Sequence, residues 1–126
     1  MKRLILAISS LILAVAICTG GYFLLKSTCE TLYDELERVS DTAVNGSPEE
    51  ALAAAREAVE LWEEIHGRIE GITRHSETDE LEEIVKSLPV YAESGNMERL
   101  FEKAEIGKNR LEHIVKNEKP LLSNIF

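Results

Sequence analysis

The chain has 126 residues, of which 14 are basic and 23 acidic, so its formal net charge is −9. This length leaves room for a single domain with a modest core. Three of the basic residues are Lys2, Arg3 and Lys26, which leaves 11 basic against 23 acidic residues, a formal charge of −12, for the rest of the chain. Such a surface repels phosphate backbones, so the composition excludes nucleic-acid binding as a main role.

An apolar segment without any charged residue occupies positions 4–25, which are 22 residues. As a helix it spans about 33 Å and matches a hydrocarbon core of about 30 Å. Basic residues flank it on both sides, and Tyr22 and Phe23 stand where aromatic side chains favour the membrane interface. The sequence therefore predicts a transmembrane anchor, with the membrane as its first partner.

The basic residues near the two ends of the anchor predict its orientation. Lys2, Arg3 and the α-amine precede the anchor, whereas Lys26 and the more distant Arg38 follow it. The positive-inside rule then makes residues 1–3 a cytoplasmic tail. We expect a single-pass protein of the cell membrane whose domain is extracytoplasmic.

Two alternatives to a retained anchor stay open. Ala14, Val15 and Ala16 resemble a signal-peptidase site, although the apolar run is longer than the usual h-region of about 7–15 residues. The same stretch followed by Ile17 and Cys18 resembles a lipoprotein motif, but Ile17 stands where a small residue is expected. A retained anchor is the better interpretation.

The part after the anchor is predicted to be helical throughout. Residues 26–44 continue the anchor as a juxtamembrane helix, and residues 47–119 carry three further apolar stripes at helical spacing. Pro120 is predicted to end the last helix, which leaves residues 120–126 as an apolar tail. The predicted fold class is all-α, with an N-terminal transmembrane helix that continues into an antiparallel helical bundle of about four helices in total.

Trp62 and His66 are the most distinctive pair on the second predicted helix, because a histidine falls in the middle of an apolar stripe. Glu63 and His66 also have the spacing used in carboxylate-bridged di-iron bundles. That motif occurs once, so we predict no metal and no cofactor. We interpret His66 as a core histidine bonded to a polar neighbour, and keep it and Trp62 as candidate partner- or ligand-binding residues.

Charged side chains concentrate in the turn before the third predicted helix, where capping by Ser76 or Thr78 explains most of the pattern. The apolar tail is the other unusual segment, since it either folds back onto the bundle or docks on another protein. Six further candidate partner- or ligand-binding residues come from these two segments: Arg74, His75, Glu77, Asp79, Ile125 and Phe126.

Several short elements together resemble a known family. They are the apolar segment that starts after Lys2 and Arg3, Trp62-x-x-x-His66, the Arg-His-Ser-Glu-x-Asp-Glu-Leu stretch of residues 74–81, His113-Ile114, and residues 120–126. Over essentially its whole length the chain resembles the bacterial domain of unknown function DUF4363. The resemblance implies a small membrane-associated helical protein without an assigned activity, and it supplies no catalytic residue.

No nucleophile motif, glycine-rich phosphate loop, paired-cysteine metal site or Ser-His-Asp order stands in the sequence, so we expect no enzyme activity. The expected function is that of a non-enzymatic interaction or scaffold protein with an acidic extracytoplasmic domain. The alternative is a helical bundle that senses a ligand or cation and acts through a partner protein. Beyond the membrane, the expected partner is another membrane protein or a second copy of the chain.

Overall fold

A computed structural model describes the backbone of residues 1–125 and the side chains of residues 1–117. Within residues 1–125 there is no strand, and four helices follow one another. They are α1 (Lys2–Asn45), α2 (Pro48–Glu70), α3 (His75–Glu93) and α4 (Met97–Ile125). The predicted all-α class with about four helices is therefore confirmed.

The four helices form a closed up-and-down bundle. Helix α1 packs on α2, α2 on α3, α3 on α4, and α4 packs back on α1. Connections of two to four residues join consecutive helices, and such short connections make neighbouring helices antiparallel. The start of α2 and the end of α3 therefore lie at one end of the bundle, and the α2–α3 turn lies at the other, beside the anchor.

The core is apolar and is built from all four helices. The early part of α2 contributes four fully buried alanines, whose small side chains allow close helix approach, and Trp62 follows on the same face. Removing this surface from water is the main favourable contribution to folding. The largest fully buried side chains are Trp62, Leu25, Leu32, Leu36, Ile69, Leu81, Leu88, Leu100, Leu111 and Ile114.

Helix α1 changes its surroundings at Leu25. None of residues 1–24 is buried, whereas from Leu25 onward one face of the same helix enters the core. The first part contains a window of 18 residues with a mean hydropathy of 2.3, of which none is buried. By length and composition α1 thus contains one candidate membrane span near the N-terminus, and it continues without a break into the bundle.

Two helix starts are capped by side chains of the types that favour the N-cap position. The Ser47 hydroxyl accepts a hydrogen bond from the Glu50 amide at 3.2 Å, and Pro48 occupies the first position of α2. At α4 the Asn96 side-chain oxygen accepts from the Arg99 amide at 3.2 Å. Both signals are local, which is why they can be read from the sequence.

The start of α3 is different, and the predicted caps Ser76 and Thr78 are wrong. Helix α3 begins at His75 with Arg74 in the N-cap position, because the Arg74 carbonyl already accepts the amides of Glu77 and Thr78. Thr78 is buried, and its hydroxyl donates to the same carbonyl at 3.2 Å. Both residues therefore belong to the first helical turn.

Helix α4 also departs from the prediction, since it continues past Pro120 to Ile125. A proline removes only its own amide hydrogen bond, here the one to the carbonyl of Lys116, and the neighbouring bonds can hold the helix. Pro89 likewise lies inside α3. The side chain of Ile125 and the whole of Phe126, both predicted site residues, lie outside the described part of the chain.

Candidate functional site

His66 lies at the edge of the bundle, so its predicted position in the core is wrong. Its side chain is 34% exposed, and its ring stacks on that of Trp62 with centroids 5.9 Å apart. The predicted polar neighbour is present, because Nδ1 lies 3.4 Å from a carboxylate oxygen of Glu70 and Nε2 lies 3.9 Å from one of Glu63. On the helix His66 follows the buried Ile65 by one position, which turns its ring toward the solvent edge.

Trp62 is fully buried and joins α2 to α3. Its Nε1 donates to a carboxylate oxygen of Glu82 at 3.4 Å, and Lys86 lies 3.1 Å from the same oxygen. These hydrogen bonds, first that of Lys86 and then that of Trp62, lower the pKa of Glu82. The arrangement explains the tryptophan as a link between two helices.

The turn before α3 is tied to α4 through Glu77. The Thr73 hydroxyl donates to one carboxylate oxygen of Glu77 at 2.8 Å, and the Asn117 amide donates to the other at 3.5 Å. No hydrogen bond or ion pair within residues 1–117 joins this turn to Trp62 or His66, so the predicted residues form two separate groups. The other three predicted residues of the turn are exposed, namely Arg74, His75 and Asp79.

Among the residues that the structure describes, no group of three or more His, Cys, Asp or Glu side chains is placed to hold a metal ion. The single Glu63–His66 pair is a contact of 3.9 Å on one helix. A nearly buried cation and an open cleft lie instead between α1 and α4.

Lys108 of α4 is a nearly buried cation that sequence reasoning missed. Its side chain is 9% exposed, and its Nζ pairs with Glu37 of α1 and, at 2.8 Å, with Glu105. The same nitrogen lies 5.4 Å from the centre of the Tyr33 ring, within range of a cation–π contact. Burial alone would lower the pKa of Lys108, but the hydrogen bonds to Glu105 and Glu37 raise it above its ordinary value.

Below this cluster, toward the anchor, α1 and α4 enclose an open cleft of about 560 Å³. Buried or half-buried Cys29, Leu111 and Val115 form its floor. Around the floor stand two tyrosines, two lysines and two glutamates, namely Tyr22, Tyr33, Lys26, Lys116, Glu30 and Glu112. We call this the α1–α4 cleft.

Two ionisable groups of the α1–α4 cleft are held in their neutral forms. Burial, with a smaller contribution from the charge of Glu30, raises the pKa of the Cys29 thiol to about 12. Burial also raises the pKa of Tyr33, although the nearby Lys108 opposes this. The cleft therefore presents a protonated thiol, phenol hydroxyls and an apolar floor between charged side chains.

Sequence reasoning did not find this cleft, because its two walls come from residues about 80 positions apart along the chain. A basic and an acidic residue four positions apart on one helix read as an ordinary solvated face. The only sequence signal was the position of Tyr22 and Lys26 at the end of the apolar run.

Taken together, these features define a class of protein, an all-helical bundle of four helices whose first helix extends into a candidate membrane span. Residues 20–125 match the family described as Domain of unknown function (DUF4363), and the chain belongs to this family. The family resemblance drawn from the sequence is thereby confirmed over residues 20–125, a region that includes the bundle and the α1–α4 cleft. No curated protein and no solved structure matches the chain.

Proposed function

We propose that the chain is a non-enzymatic interaction protein that is anchored in the cell membrane and holds an acidic helical bundle on the extracytoplasmic side. The observation that carries the proposal is the continuity of α1, which has exposed apolar side chains up to Leu24 and core side chains from Leu25. An apolar helix of this length is stable in lipid, where all its backbone groups are satisfied internally. The anchor and the bundle therefore share one helix.

The negative charge of the domain supports another membrane protein as the partner over a second copy of the chain. The part of the chain after Lys26 has a formal charge of −12, so two copies repel each other at long range. The same field attracts a basic protein surface and speeds the encounter with it. Another membrane protein with a basic extracytoplasmic face is thus better supported than a second copy.

Photo-crosslinking in intact membranes tests this proposal. A photoreactive amino acid is placed in turn at exposed apolar positions of three helices, Val44, Val90 and Phe101. We expect a discrete product with another membrane protein at some of these positions. Replacing the acidic residues around a reactive position by their amides should abolish the product, while the same number of replacements on the opposite face should leave it.

Two results would contradict the proposal. One is the exclusive formation of self-crosslinks, or no product, at every position. The other is turnover of a substrate by the purified full chain that is lost in the His66→Ala or His75→Ala variant, since that result would make the protein an enzyme.

A second candidate is a bundle that senses a ligand or cation and acts through a partner. The α1–α4 cleft favours it, because a ligand bound there touches the helix that enters the membrane. A sensor changes the yield of the partner crosslink when the ligand or a divalent cation is added. A scaffold gives the same yield in both conditions.

A further inference from the structure

The α1–α4 cleft lies where the anchor meets the bundle. Its lower limit is Tyr22, within the apolar run, and the first charge after that run is Lys26. From Tyr22 to Tyr33 the helix rises about 16 Å, so the cleft extends from the last turn of the anchor through the headgroup layer of the bilayer. A molecule in it sits at the depth of a phospholipid headgroup.

The charges of the cleft are ordered by height. On α1, Lys26 precedes Glu30 by four residues, and α1 runs away from the membrane. On α4, Glu112 precedes Lys116 by four residues, and α4 runs toward the membrane. On each helix the lysine therefore lies about 6 Å, about one helical turn, nearer to the membrane than the glutamate.

These four groups do not neutralise each other in pairs. Lys26 with Glu30, and Glu112 with Lys116, have the i,i+4 spacing of a surface ion pair, yet within residues 1–117 neither pair lies within ion-pair distance. Their summed charge is zero in a domain that is otherwise strongly acidic. A ligand that complements these four charges carries an anion at the level of the lysines and a cation about one helical turn further from the membrane.

We propose that the α1–α4 cleft binds a phospholipid of the adjoining leaflet whose headgroup carries a phosphate and a primary ammonium group. Lys26 and Lys116 bind the phosphate, and Glu30 and Glu112 accept hydrogen bonds from the ammonium. The apolar floor of Cys29, Leu111 and Val115 lies behind the headgroup and contacts its methylene groups. Tyr22, one helical turn nearer to the membrane than Lys26, is placed to donate to an ester oxygen.

A primary ammonium fits this site better than a quaternary one, because three N–H groups can donate to the two carboxylates and a trimethylammonium has none. A headgroup with phosphate and no cation leaves both glutamates beside an anion. The site therefore discriminates by charge order as well as by net charge. This inference goes beyond the proposed interaction function and depends only on its membrane-anchored part.

Native mass spectrometry of the full chain in detergent micelles measures the binding directly. The probes are phosphatidylethanolamine, phosphatidylcholine and phosphatidylglycerol with identical acyl chains. We expect the tightest binding for phosphatidylethanolamine, and a loss of about tenfold or more in the double variant K26Q/K116Q. The matched control K103Q/R110Q removes two positive charges on the α3–α4 side and should bind like the original chain.

The acidic residues are tested separately with E30Q/E112Q. This variant should lose the preference for phosphatidylethanolamine over phosphatidylglycerol while it keeps the binding of the phosphate. All the replaced side chains in the cleft are exposed, so the helical content and the unfolding temperature should remain unchanged in circular dichroism.

Three results would overturn the inference: equal binding of phosphatidylcholine and phosphatidylethanolamine, an equal loss in the control variant, or no retained lipid. Soluble phosphoethanolamine is the last probe, and binding as tight as that of the lipid would instead make the cleft a site for a soluble ligand. Extraction of membranes at alkaline pH tests the anchor independently, since release of the chain would refute the anchor whatever the micelle experiment shows.

Discussion

At the scale of single residues, Lys108 shows how the bundle accommodates a charge among apolar neighbours. Glu37 on the facing helix and Glu105 on its own helix satisfy its nitrogen, and the Tyr33 ring covers it. Both carboxylates remain at least 39% exposed, so most of their hydration is kept. This lowers the desolvation cost that makes fully buried ion pairs unfavourable.

Replacing Lys108 by Met should destabilise the protein by about 1 kcal/mol, because the stem is kept while the charge between two helices is lost. Lys108 lowers the pKa of Glu105 below its ordinary 4.5 through a hydrogen bond. The resulting stabilisation is complete above that value and is lost as the pH falls through the lowered pKa.

Thermal unfolding of the full chain in micelles, followed by circular dichroism between about pH 7 and about pH 3, measures this difference. The gap in unfolding temperature between the original chain and K108M should narrow on the acid side. The variant K103M, on the same helix, should show no such gap. A gap that is constant with pH would mean that the ion pair does not contribute.

Gly107 allows α4 to approach α1 and α3 closely. A Cβ atom there would lie 2.9 Å from Leu36 Cδ1 and 3.2 Å from Ile84 Cγ2. We expect G107A to destabilise by about 1–3 kcal/mol, since buried Leu36 has nowhere to move. The control G67A meets nothing within 4 Å and should stabilise α2 by about 0.5–1 kcal/mol. Equal effects of both variants on chemical unfolding would contradict this view of the packing.

At the scale of the helices, the sequence predicts what depends on neighbouring residues. Apolar periodicity and the capping residues Ser47 and Asn96 mark the starts of α2 and α4, because both signals act within about two turns. The start of α3 was missed because several polar residues compete as caps there, and the Arg74 carbonyl decides by accepting the first amides. His66 was wrongly predicted to be buried, because the burial of a residue at the border of an apolar stripe depends on the position of the neighbouring helix.

The two serines near helix starts give a matched pair of tests. S47A removes the acceptor for the Glu50 amide and should cost about 1 kcal/mol in the free energy of unfolding. S76A affects an exposed side chain within the first turn of α3 and should change stability by less than about 0.5 kcal/mol. Chemical denaturation compares the two, and a larger loss for S76A would restore Ser76 as the cap.

The α1–α4 cleft and the buried Lys108 could not be predicted in the same way. Each requires the register between the first and the last helix, which packing of the complete bundle sets. Lys108 lies about 80° around α4 from Leu100, so on the sequence it reads as the border of a polar face. Its burial becomes visible only when Glu37 and Tyr33 of α1 are placed beside it.

At the scale of the whole molecule, the orientation in the membrane is open to a labelling experiment. In a C18S background, one variant carries E98C at the far end of the bundle and another carries a cysteine inserted after Met1. A membrane-impermeant maleimide should label E98C on intact cells, and the N-terminal cysteine only after permeabilisation. Buried Cys29 should stay unlabelled, because its raised pKa of about 12 keeps the thiol protonated.

The reverse labelling pattern would refute the predicted orientation. Loss of the inserted cysteine from the mature protein, seen as a smaller mass, would instead support cleavage of the N-terminal segment. The same pair of variants thus distinguishes a reversed orientation from cleavage of the N-terminal segment.

Because α1 is a continuous helix, it also fixes the rotational orientation of the bundle around the membrane normal. Each residue in an α-helix turns by about 100°, so one residue inserted between Leu24 and Leu25 swings the whole bundle by that angle relative to the anchor. Seven inserted residues bring it back to within about 20° of the starting direction, about 10 Å further from the lipid. The side of the bundle that faces a neighbour in the same membrane is therefore set by the number of residues in the anchor.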